Sequence, residues 1–383
     1  HSMAEYSADN AANSSSEPTI PKPALRALPN PGRPPVEADI ARNNPDLIIR
    51  RMNLNESPIQ PSPKAIAAMQ EACTRVNRYP DPQWRALTAA ISEETGIPQH
   101  RIVMGNGSDE AIVSAGRLSV SPGDEVLVPN PSFPSYNNAA AVNGGTLITV
   151  PLKADGSNDV DAMIAAATDR TRLVFAASPN NPTGNVLSSE EVERLALGIP
   201  DTALLVLDEA YYEFGMHAGG EDHLKVMAKR TGPWAVFRTF SKAYGLAGIR
   251  VGYILAGSDE IAIAFQKVRS VFNVNAVAQA GALAAWGDKD HRHMLLEKTR
   301  IERERLVAGL TALGAEPFPT VANFVTAKMD RPAEEIVAAL LEKGVMIGRL
   351  MHPGYENYIR VTVGSDEDTD GFLAALKEVL ADK

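Results

Sequence analysis

Between residues 101 and 255, short β-rich runs alternate with helical stretches: RIVM at 101–104, EVLV at 125–128, TLITV at 146–150, RLVFAA at 172–177, ALLVL at 203–207, AVFRTF at 235–240 and VGYIL at 251–255. Strands that alternate with helices predict an α/β sheet, mostly parallel and covered on both faces. In such a sheet, ligands sit beyond the carboxyl ends of the strands. The residues that follow each run are therefore the place to look for chemistry.

The flanks read differently. Prolines punctuate residues 25–62 (Pro29, Pro31, Pro34, Pro35, Pro58, Pro61), which predicts an extended crossing segment, and helical periodicity follows at 63–76 and 84–95. A long helical region covers 258–313, with Asn273-Val274-Asn275 as its break. The last seventy residues predict a small α+β unit: NFVTAKM at 323–329, a helix at 333–343, VMIGRL at 345–350, YIRVTVG at 358–364 and a final helix at 366–381. The chain has 383 residues, 44% of them hydrophobic, enough for one large or two closely packed domains. Its formal charge of −10 comes without a long basic run, which argues against a nucleic-acid partner. No stretch approaches the 18 apolar residues of a membrane span. The one cysteine, Cys73, cannot form an intrachain disulfide; it reads as a buried spectator in a reducing, cytoplasmic compartment. His1-Ser2-Met3 reads as an expression scar, and residues 4–24 as a flexible arm without an apolar leader.

Polar groups cluster at the expected strand ends. Gly105-Asn106-Gly107-Ser108-Asp109-Glu110 follows the first run, and Ser178-Pro179-Asn180-Asn181-Pro182-Thr183-Gly184 follows RLVFAA. Asp208-Glu209-Ala210-Tyr211 follows ALLVL; Thr239-Phe240-Ser241-Lys242 follows AVFR, with Arg250 eight residues on. Taken singly these are weak: the glycines could be an ordinary turn, Asp208 a helix N-cap, Asn181 a turn residue before proline, and Lys242 a solvated charge. Together they deliver an amine, an acid, an amide and an anion-binding loop to one edge. Gly107-Ser108-Asp109 opens a helix whose amides suit an anion, without the spacing of a nucleotide P-loop.

The combination SPNNPTG, DEAY, TFSKAYGLAGIR and IRVTVG resembles the fold-type I aminotransferases that use pyridoxal phosphate (PLP), and most closely the histidinol-phosphate aminotransferase family. The likeness covers residues 45–375. It implies the PLP-dependent transferase fold, aspartate aminotransferase-like: a mostly parallel sheet covered by helices, plus a small α+β domain. It implies that Lys242 binds the cofactor's aldehyde and shuttles a proton, that Asp208 keeps the ring nitrogen charged, and that Tyr211 and Asn181 bond the phenolic oxygen. Gly107, Ser108, Asp109, Thr239, Ser241 and Arg250 would form the phosphate cup, where arginine offers bidentate geometry. Phe133 would stack on the ring, and Tyr79 would reach the phosphate in the neighbouring subunit of a homodimer. Arg360, and more loosely Arg349, would clamp the substrate's anionic group, with Asn55 on the substrate side.

The resemblance further implies domains at 71–285 (large, PLP-binding) and 286–383 (small), with 25–70 joining the small domain and the dimer contacts and 1–24 as the arm. Its expected activity is transfer of an amino group between histidinol phosphate or an aromatic L-amino acid and a 2-oxo acid, all small molecules. One departure concerns the arm: the family commonly carries a tyrosine before a Pro-Gly there, and this chain has Ala27-Leu28-Pro29-Asn30-Pro31-Gly32. That leaves room for aromatic amino acids. The alternatives are a related PLP decarboxylase acting on phosphothreonine-like substrates and a PLP-binding regulatory module without turnover. A metal site is not expected, because the histidines are scattered, and no G-x-S-x-G nucleophile elbow occurs.

Overall fold

The computed structural model describes residues 18–382; the expected scar and the first part of the arm, residues 1–17, lie outside the described residues. Twelve strands are described: β1 (Arg50–Met52), β2 (Ile102–Gly105), β3 (Glu125–Asn130), β4 (Thr146–Pro151), β5 (Thr171–Ala177), β6 (Leu204–Asp208), β7 (Trp234–Thr239), β8 (Gly252–Ala256), β9 (Glu316–Pro317), β10 (Phe324–Lys328), β11 (Val345–Arg349) and β12 (Tyr358–Thr362). They form a seven-stranded sheet of order β2-β8-β7-β6-β5-β3-β4 and a five-stranded sheet of order β1-β11-β12-β10-β9.

The large sheet is parallel from β7 through β6, β5 and β3 to β4, and only β8 runs against its neighbours β7 and β2. Helices cover both faces, so the central strands read as continuous apolar runs. Leu204, Leu205, Val206 and Leu207 are all at most 3% exposed, and each such burial contributes roughly 1.5–3 kcal/mol. Local signals set the helices. At Ser189–Gly198, the Ser188 hydroxyl accepts from the Glu191 amide while Glu191 accepts from the Ser188 amide, a reciprocal cap.

Register brings the functional edge together. Ala177 pairs with Asp208, Asp208 with Phe237, Thr239 with Gly252 and Gly252 with Gly105. The carboxyl ends of β5, β6, β7 and β2 therefore lie side by side, joined by the start of the antiparallel β8. A Cβ at Gly252 would meet the Ser108 amide nitrogen at 2.6 Å, so only glycine lets β8 pass beneath the loop that opens the Gly107–Ser119 helix.

The smaller sheet has its own core, including Phe324's neighbour Val325, Ile359, Val361 and Phe372. It recruits β1 from far upstream, parallel to β11, and Met52 is fully buried in that core. The extended crossing segment expected for 25–62 is thus corrected: it holds β1 and two short helices, Pro23–Arg26 and Glu37–Asn43. The expected burial of Cys73 is also corrected. Ala72 takes the inward position at the end of the Pro63–Ala72 helix, and Cys73 opens an exposed 3₁₀ turn. Among the described residues no helix is long and apolar enough to cross a membrane.

Candidate active site

A cavity of about 410 Å³ lies over the aligned strand ends, lined by residues that include Ser108, Asp109, Phe133, Asn181, Asp208, Tyr211, Thr239, Ser241, Lys242, Arg250 and Arg360. Lys242 follows β7. Its Nζ donates to the Leu54 carbonyl at 3.3 Å. Burial pulls its amine down to about 8, helped by the nearby Arg360 and Arg250.

Asp208 ends β6 and is 5% exposed. Its Oδ2 accepts from the Tyr136 hydroxyl at 2.5 Å and its Oδ1 from the Ala210 amide at 3.1 Å. Burial pushes its carboxyl up to about 6, making it a weaker acid, and the Tyr136 bond opposes that rise. Tyr136 was not singled out in the sequence. It sits one helical turn past Phe133, stacks on Phe175 at 4.4 Å and meets Phe133 edge-on at 5.9 Å. Its signal is the i, i+3 spacing from an aromatic already assigned to the site.

The phosphate cup expected from sequence is compact. Arg250 donates to the Ser241 hydroxyl at 3.3 Å and faces Asp109 at 3.6 Å, and the Ser241 amide donates to the Thr239 hydroxyl oxygen at 3.0 Å. Gly107 has φ of +72°, and a Cβ there would collide with the Arg250 guanidinium. Arg250 itself has φ of +61° and Asn55 of +56°, conformations that non-glycine residues adopt at a cost where surroundings over-determine them.

The small domain closes the other side. The Arg360 guanidinium donates to the Asn181 side-chain oxygen at 3.2 Å and to the Asn53 carbonyl at 2.9 Å, while its buried Nε has no partner. The Asn55 side chain donates to the Tyr211 hydroxyl at 2.9 Å and accepts from Thr362 at 3.0 Å. Burial pushes the Tyr211 phenol up to about 12. Glu56, also in the cavity wall, pairs with Arg51 at 2.8 Å; its sequence segment was matched only through Asn55.

Three expected residues are absent from this cavity's wall: Gly107, which sits against the Arg250 guanidinium, Tyr79 and Arg349. Tyr79 is 81% exposed, stacked on Phe272 at 4.4 Å, and lines a separate depression of about 460 Å³. Arg349 pairs with Ile359 while Gly348 pairs with Arg360. Strand alternation therefore turns Arg349 to the opposite face from Arg360, and the cavity wall does not include it. Among the described residues no group of three or more His, Cys, Asp or Glu could hold a metal.

An orphaned guanidinium nitrogen, a glycine-floored anion nest and a buried carboxylate are what a flat aromatic carbonyl compound bearing an anion would satisfy. The class of protein that holds such a compound in this fold is the fold-type I PLP enzymes. The model of the aminotransferase class I and II family matches residues 49–376. The chain is 37% identical over 351 residues to a histidinol-phosphate aminotransferase of Moorella thermoacetica, covering 92% of this chain and 90% of the relative. It is 40% identical over 320 residues to an aromatic amino acid aminotransferase of Rhodococcus opacus, covering 84% and 87%. The crystal structure of a histidinol-phosphate aminotransferase from Sinorhizobium meliloti in complex with PLP superposes with a TM-score of 0.87 at 31% identity, covering 96% of this chain and 99% of that one. The chain belongs to the class I and II aminotransferase family; it is a PLP-dependent aminotransferase, and the expected fold class is the one observed.

Proposed function

We propose that the enzyme moves an amino group from histidinol phosphate or an aromatic L-amino acid to a 2-oxo acid such as 2-oxoglutarate, as a cytoplasmic homodimer in amino-acid biosynthesis. One observation carries the reading: Lys242, Asp208 and Arg360 border a single cavity, with an arginine nitrogen left for an incoming anion. When bound, PLP supplies an aldehyde that captures the donor's amine and a ring that withdraws electrons from its Cα.

The protein supplies the rest. Arg250, Ser241, Thr239 and the amides of Gly107–Asp109 would hold the cofactor phosphate, and Phe133 would cover the ring. Asp208, kept buried and braced by Tyr136, would hold positive charge at the ring nitrogen. Asn181 and Tyr211 would bond the phenolic oxygen. The Lys242 amine, made easier to deprotonate by its burial, would take the proton from the donor's Cα and deliver it to the cofactor's aldehyde carbon. Arg360 anchors the donor's anionic group and fixes which Cα bond is presented to that amine.

The aromatic reading has its own support in the missing arm tyrosine at 27–32 and in the Rhodococcus relative. Tyr79 and Leu283, both exposed, line one depression, which supports a partner subunit covering this face. The test is a donor screen with 2-oxoglutarate, histidinol phosphate, phenylalanine and tyrosine first, reading glutamate formation. One of these three should dominate in kcat/KM. The Arg360→Ala variant should lose roughly 2–5 kcal/mol of transition-state binding for that donor. Turnover of none of the three, or an Arg360→Ala variant with unchanged kcat and KM, would overturn the proposal.

A further inference from the structure

Behind the active site lies a second cavity, of about 340 Å³, that shares no wall residue with the first. Tyr212, Tyr244, Tyr253 and Trp286 line it, together with Glu213, Arg238, Arg292 and His217. Glu213 is 8% exposed, and neither carboxylate oxygen has a hydrogen-bond partner beyond its own residue's amide. We infer that this cavity is a binding site for a small, flat organic cation, held by the aromatic faces and neutralising Glu213.

Three observations carry this. The first is the carboxylate itself. A buried acid without a partner is costly, and it either keeps its proton or meets a cation; burial pushes Glu213 up to about 7, so the two states lie close. The second is that the cations in the same wall, Arg238, Arg292 and His217, make no hydrogen bond to Glu213 and bond other groups instead. Arg238 bonds Glu209 at 3.1 and 3.2 Å, Arg292 donates to the Trp286 carbonyl at 3.2 Å, and His217 bonds Glu297 at 2.8 Å. The third is that these ring faces already receive cations. The Arg238 guanidinium lies 3.5 Å from the Tyr212 centroid, and that of Arg292 lies 5.0 Å from Tyr244. Aromatic faces attract weakly hydrated, delocalised cations more than compact ones.

The same geometry excludes other ligands. Among the described residues no cluster could coordinate a metal. An anion would face Glu94, Glu213 and Asp222, against Arg238 and Arg292, which already bond Glu209 and the Trp286 carbonyl.

The site is tested on the PLP-loaded enzyme by calorimetry at pH 8, where Glu213 carries its charge. The probe is 1,3-dimethylimidazolium, a permanent cation with no nucleophilic nitrogen to react with PLP; N-methylpyrrole is the neutral control of similar shape. Wild-type protein should bind the cation with Kd on the order of 0.1–1 mM and N-methylpyrrole at least about tenfold more weakly. Saturating 2-oxoglutarate should not displace the cation. Glu213→Gln should weaken binding about tenfold with its circular dichroism unchanged, and Trp286→Leu provides a second variant should the first not fold. Equal binding of cation and control, competition by 2-oxoglutarate, or full affinity in whichever variant folds would overturn the inference.

Discussion

Burial moves Lys242 and Asp208 away from their ordinary acidity, and each shift has a consequence. The amine is drawn down to about 8 from the usual 10.5, so its reactive neutral form predominates above about 8 instead of above 10.5. The rate at which cofactor-free enzyme takes up PLP should therefore rise with pH up to about 8 and then level off. Stopped-flow absorbance would check this, and a rate still climbing toward pH 10 would contradict it. Asp208 is lifted to about 6 by its burial; in its proposed role it would gain a counter-charge from the ring nitrogen. Asp208→Ala should lower kcat/KM by several orders of magnitude, because on the order of 5 kcal/mol of transition-state stabilisation depends on that charge. A drop of only a few-fold would remove Asp208 from that role. Tyr136 escaped the sequence reading because its contribution runs through a single bond to Asp208 that only the folded chain creates.

At the level of elements, the long alternation of strands and helices was legible because both faces of the large sheet are covered. Every one of its seven strands overlaps a run read from the sequence. The elements that escaped are too short for local propensity to mark them and become strands only by pairing. β1 is three residues, Arg50–Met52, with two arginines, and becomes a strand only by pairing with β11 nearly three hundred residues on. β9 is two residues added to the edge of β10. Local propensity carries little weight against such pairing. Arg349 illustrates a related limit: sequence proximity to Arg360 in the strand pair suggested a shared role, but a one-residue offset reverses the face. The opening turn of the Gly107–Ser119 helix is sensitive to change. A methyl group at Gly107, already at positive φ, would displace Arg250. Gly107→Ala should weaken PLP binding by about tenfold or more with little loss of secondary structure. Fluorescence titration with PLP would check it; unchanged affinity would mean that the loop does not hold the phosphate.

On the scale of the whole molecule, the site is a joint product of two sheets. The large sheet brings Asp208, Thr239 and Lys242; the small one brings Arg360, and Thr362 holds Asn55 against Tyr211. The Asn323 side chain adds a bond to the Asn55 carbonyl at 2.9 Å. These links across the two units were not legible in the sequence, where Asn55 lies 307 residues from Thr362. Tyr79 extends the same logic to a second copy. If its phenol completes the phosphate site of a partner subunit, Tyr79→Ala should leave the dimer intact in sedimentation while weakening PLP binding by roughly 1–3 kcal/mol, the cost of one lost charge-assisted bond. A monomeric wild-type enzyme with full activity would refute the shared site.

Every role proposed for the cavity depends on PLP attaching to Lys242. Borohydride reduction of the PLP-loaded enzyme, followed by peptide mass spectrometry, reads that attachment directly. The label should appear on the peptide containing Thr239-Phe240-Ser241-Lys242 and vanish in Lys242→Ala together with turnover. A label on another lysine, or undiminished turnover without Lys242, would contradict it.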